Sequence, residues 1–99
     1  MTAREALRLG TRGGAEVLRR DDLGSLEAGK CADFAVWDLE VLELAGAEDP
    51  VAGLVFSAPH RPEQVYVGGE PVVRGHALVS ADESDIARAH RAQARRFGA

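Results

Sequence analysis

One cysteine and one lysine occur among the 99 residues, and each scarcity removes a class of function. Cys31 has no second thiol in the chain, so it closes no internal disulfide. His60, His76 and His90 are scattered, with no C-x-x-C or H-x-x-x-H spacing, and a metal site built by this chain alone is not expected. With Lys30 the only lysine, the cations are arginines gathered mainly in residues 4–20 and 88–96, interleaved with acids and alanines at helical spacing. They read as solvated helix faces. The net charge of −4 and the lack of a basic stripe with aromatics speak against a nucleic-acid partner. No apolar run approaches the roughly 20 residues of a membrane span, and TAREALRLG is an amphipathic helix pattern rather than a signal peptide. The expected location is the cytoplasm, with no membrane partner.

What is present suits an ordered chain, since 45% of residues are apolar and 28% charged. A chain of this size forms one domain at most and buries roughly 60 to 65% of its unfolded surface. Thr2 and Glu5 have capping-box spacing, which starts a helix. Its apolar positions are interrupted by GTRGG, so two short helices are expected, or one helix kinked at the glycines. The period then changes. CADFAVWD alternates as a strand that is apolar on both faces and therefore needs cover on both sides. LEVLELAGAED is a loop or a short edge strand. Asp49-Pro50 opens a helix of one or two turns that Ala58-Pro59 stops.

In QVYVGGEPVVRGHALV, Gly68-Gly69 predicts a type I′ hairpin, Pro71 must sit at an edge or a bulge, and Gly75 predicts a bend before a last short strand. Ser80 and Glu83 form a second capping-box pattern, opening a terminal Ala/Arg helix anchored by Ile86 and Phe97. The fold class is therefore α+β.

GSLEAGKC, residues 24–31, lies one side chain away from the phosphate loop G-x-x-x-x-G-K-[ST], with Gly24, Gly29 and Lys30 in place and Cys31 where the hydroxyl belongs. A phosphate loop needs a strand before it and a helix after it, so that the helix N-terminus faces the anion. Here the order is reversed. The residues fit a helix-to-strand turn instead, with Gly24 at a left-handed helix end and Gly29 in a tight turn. Cys31 is expected to be a small buried residue, and Asp33 to tie down N–H groups of the preceding turn. Asp33 and Asp38 fall on opposite faces of a strand and cannot act as a catalytic pair.

The segment GSLEAGKCADFAVWD resembles the motif G-[ST]-[LI]-E-x-G-K-x-A-D-[LF]-x-[VL]-[WF]-D near the C-terminus of the metal-dependent amidohydrolase superfamily. TAREALRLGTRGGAEVLRRDDLG is similar to that family's last barrel helix and the helix after it, and VYVGGEPVVRGHALV to its strand pair V-x-V-x-G-x-x-V-V-x-x-G. EDPVAGLVFSAPHRPEQVYVGG is most like the cytosine-deaminase-like branch, especially 8-oxoguanine deaminases and hydroxydechloroatrazine ethylaminohydrolase. Cys31 at the variable motif position and RGGA in place of N-P-A are departures.

The resemblance implies that residues 1–23 end a (β/α)8 barrel, 24–80 form the C-terminal part of a small β-sandwich with an inserted short helix near 50–57, and 81–99 form a peripheral helix. It implies a hydrolase that deaminates an oxo-purine or related N-heterocycle with a divalent metal, zinc or iron. That metal is bound by an H-x-H pair, two more histidines and an aspartate upstream of this segment. No catalytic, cofactor-binding or metal-binding role falls on His60, His76, His90 or any other residue here, and the isolated chain is expected to be inactive. Its expected partner is the N-terminal remainder of the same enzyme, with the small heterocycle as substrate and a homo-oligomer compatible with the pattern. The alternative is a free-standing structural or interaction module that pairs with a separate barrel chain.

Overall fold

The computed structural model describes residues 1–40, 42–57 and 61–98. The stop at Ala58-Pro59 and the expectation for His60 lie outside the described residues. The chain opens with α1 (Ala3–Arg8), passes through a π-helical turn (Leu9–Gly13) and continues as α2 (Gly14–Val17). Thr2 Oγ1 accepts the Glu5 N–H and Glu5 Oε2 accepts the Thr2 N–H, so the first capping box forms. The glycines do not break the helix. Leu9, Gly13 and Gly14 all keep right-handed helical dihedrals, and the five-residue stretch widens into the π turn instead.

That rod ends in a Schellman motif. Arg20 N–H donates to Ala15 O and Arg19 N–H to Glu16 O, both at 3.0 Å, with Arg19 at φ 56°. The left-handed position at the helix end is thus Arg19 and not Gly24, because the helix stops seven residues before that glycine. Gly24 has a positive φ of 91° for another reason: the returning chain crosses the rod there. A Cβ on Gly24 would stand 3.1 Å from Arg12 Cα and 3.2 Å from Thr11 O.

β1 (Phe34–Val36), β2 (Gln64–Val67), β3 (Glu70–Arg74) and β4 (Ala77–Leu78) form an antiparallel sheet in sequence order. The fold is α+β, as expected. β1 is shorter than its alternating pattern because a strand extends only as far as its partner, and β2 offers Gln64, Val65 and Tyr66 as register partners. Gly68 and Gly69 take φ 57° and 81°, as a two-residue I′ turn requires. The register shifts between Val65 and Tyr66, opposite Val73 and Pro71, which puts Pro71 next to a bulge. Gly75-His76 makes a second two-residue turn, with His76 at φ 64°.

α3 (Pro50–Phe56) starts as the sequence indicates, with Asp49 Oδ1 accepting the Val51 N–H. It packs on α1, where Arg4 also reaches Asp49 at 3.3 Å. The stretch between β1 and α3 holds a 3-10 turn at Leu42–Leu44 rather than a strand. α4 (Glu83–Arg96) begins later than its capping-box pattern implies: Asp82 is the N-cap and accepts from both Ser84 and Asp85 N–H. An ionised carboxylate that accepts two N–H groups outcompetes the Ser80 hydroxyl. Ile86 and Phe97 do not anchor α4, being 48% and 87% exposed.

Among the described residues the buried apolar side chains are only Ala3, Ala15 and Leu44. The radius of gyration is 16.6 Å, against about 13 Å for a compact chain of this length. Helical and sheet parts lie beside each other without sharing a filled core.

Candidate functional site

The GSLEAGKC loop holds a dense polar network. After the Schellman motif the chain folds back along the rod, passes Gly24 and turns at Glu27–Lys30, where Lys30 N–H donates to Glu27 O at 3.2 Å and Gly29 takes φ 90°. The tight turn expected at Gly29 is present. Lys30 Nζ lies 2.8 Å from Glu27 Oε2 and 2.6 Å from Ser25 Oγ, the Ser25 hydroxyl donates to the same carboxylate, and Arg12 stands 3.9 Å away.

A serine within hydrogen-bond distance of a lysine is the geometry of a Ser–Lys nucleophile. Chemistry at this pair points elsewhere. Glu27 is held down to about 2 by the Lys30 hydrogen bond first and Ser25 second, so Lys30 faces an ionised carboxylate and donates to it. A lysine that serves as a base must be free of such a partner. The trio is a clamp on the turn.

Beside it, Arg20 grips Asp22 with two bonds, Nε to Oδ1 at 2.8 Å and Nη2 to Oδ2 at 2.7 Å. Cys31 is half-buried and its thiol donates to the same Asp22 Oδ2 at 3.1 Å, while its N–H donates to Asp22 O at 2.9 Å. Arg20, followed by Cys31, holds the Asp22 carboxyl well below the usual carboxylate range. The hydrogen bond to Asp22, then burial, pushes the Cys31 thiol up. A thiol raised in this way is no nucleophile at neutral pH.

Acid should loosen this loop in a defined window. Glu27 has a depressed pKa in the folded chain, so its contribution is complete above the ordinary value of 4.5 and is lost as pH falls towards about 2. The protection factors of the Lys30 and Cys31 amides, measured against the intrinsic exchange rate at each pH, should fall across that interval, and a Glu27→Gln variant should show a flatter profile. Equal profiles for the two proteins would rule out the clamp.

The other candidates are dispersed. Asp33 does not serve the preceding turn; its Oδ1 accepts the N–H of Gly68, 35 residues on, at 2.7 Å, and Ala32 O accepts the Gly69 N–H at 2.9 Å. Asp38 caps the Glu40 N–H at 2.9 Å, so the two aspartates have separate duties. His76 sits exposed in the β3–β4 turn and His90 exposed on α4. Among the described residues no three His, Cys, Asp or Glu side chains are grouped to hold a metal ion. Sequence reasoning passed over Arg12, Arg20, Asp22, Ser25 and Glu27; the spacings Arg20-x-Asp22 and Glu27-x-x-Lys30 were the available signals.

A cleft of about 640 Å³ opens between the rod and β1. Leu7, Leu18, Leu23, Phe34 and Trp37 line it, and Gly10 and Gly14 leave its rod side bare. It is an apolar seam rather than a polar active site.

A profile of the Amidohydrolase family matches residues 1–72. The chain is 38% identical over 94 residues to an 8-oxoguanine deaminase of Pseudomonas aeruginosa, covering 95% of this chain and 21% of that protein. It is 40% identical over 87 residues to a hydroxydechloroatrazine ethylaminohydrolase of Pseudomonas sp. (strain ADP), covering 84% and 18%. Among solved structures, an atrazine chlorohydrolase from Arthrobacter aurescens TC1 complexed with zinc superposes with a TM-score of 0.84 at 41% identity, over 92% of this chain and 20% of that one. An adenosine deaminase from Xanthomonas campestris with bound zinc gives a TM-score of 0.84 at 31% identity, over 99% and 23%. The chain thus spans about a fifth of the length of the proteins it matches.

Proposed function

The chain belongs to the amidohydrolase family, and from that membership we propose that it is the C-terminal segment of a metal-dependent aminohydrolase that deaminates an oxo-purine or related N-heterocycle. In this reading residues 1–23 close the barrel, 24–80 form part of the composite sandwich and 81–99 form a peripheral helix. The observation that carries it is uncovered surface. A compact chain of 10.5 kDa exposes about 5,400 Å², whereas this one exposes 7633 Å². The excess of about 2,200 Å² is well above the roughly 800 Å² per partner of a standard interface. Leu9 and Val17 on one side of the rod, Leu7 and Leu18 on the other, are all exposed to some degree. A helix with apolar side chains on two sides belongs between two layers.

The deaminase relatives and the zinc in the solved neighbours support the activity and the metal. In this reading the metal and the reacting groups come from the remainder of the enzyme. The segment contributes apolar packing surface, and the GSLEAGKC clamp holds the turn between rod and sheet.

Two measurements test this. The genomic DNA upstream should run in frame into a coding region carrying H-x-H after a strand pattern. The isolated chain, supplied with zinc and 8-oxoguanine, should release no ammonia above buffer; robust zinc-dependent turnover would sink the reading. A stop codon and ribosome-binding site directly upstream would favour the alternative, a free-standing module that pairs with a separate barrel chain.

A further inference from the structure

We draw no further inference here: the strongest candidate, the apolar cleft between the rod and β1 where Gly10 and Gly14 leave the helix backbone bare, belongs to the surface already proposed to meet the remainder of the enzyme, and nothing in the structure shows which segment covers it.

Discussion

Gly24→Ala should cost the chain about 2 to 4 kcal/mol, a large part of the stability of any domain this small. Two penalties coincide at this position. The backbone stands at φ 91°, where a side chain is strained, and the added Cβ would lie 3.0 Å from Ala15 Cβ, 3.1 Å from Arg12 Cα and 3.2 Å from Thr11 O. Two of those three neighbours are backbone atoms of the rod and have nowhere to go. Gly29→Ala provides the control, since Gly29 has the same φ of 90° with nothing within 4 Å of its Cβ. It should cost only about 1 kcal/mol, the strain alone. Urea titrations of the three proteins at one low concentration separate the effects by their midpoints. Equal shifts for the two variants would mean that the loop does not press on the rod.

The contrast between these glycines marks the limit of what the sequence could reveal. Gly29, Gly68 and Gly69 were legible because a turn is decided within four residues. Thr2 with Glu5, and Asp49 with Pro50, were legible for the same reason. Gly24 carries the same local signature, yet its positive φ arises from the approach of a helix about ten residues earlier in the chain. The helix end moved to Arg19, an arginine in a left-handed position that no composition rule favours. At the start of α4 two local signals competed, and the carboxylate of Asp82 won because it accepts two N–H groups at once.

The candidate site divides along the same line. The motif's glycines and lysine were visible, and so was the reversed order of helix and strand that separates the loop from a phosphate site. The clamp was not. Its charges form short-range pairs that occur by chance on any polar loop, and only the fold brings Arg12 near Glu27, Arg20 beside Cys31, and Asp33 onto Gly68. The length of β1 was hidden for a deeper reason, because it depends on strands that β1 meets, and its outer edge meets none among the described residues.

That outer strand is where a single side chain should matter most in the sheet. Phe34 stands directly opposite Tyr66 in the register, and the rings stack with centroids 4.8 Å apart and an interplanar angle of 22°. Tyr66 is itself steadied by its hydroxyl, which donates to Gln64 Oε1 at 2.7 Å. Phe34→Ala removes a half-buried ring and its stacking partner's cover, at a cost of about 2 kcal/mol. β1 has only three residues in the ladder, so this loss should free it from β2 and leave the β2–β3 hairpin marginal. Hydrogen exchange should therefore accelerate first at Glu63 and Gly69, whose N–H groups donate to Val36 O and Ala32 O, and then at Val65 and Val73. Phe34→Leu keeps much of the apolar area but no ring, and should retain more than half of the lost stability. If Leu and Ala behave alike, or if exchange at β1 is unchanged in both, the stack does not hold the sheet and β1 depends on a covering partner instead.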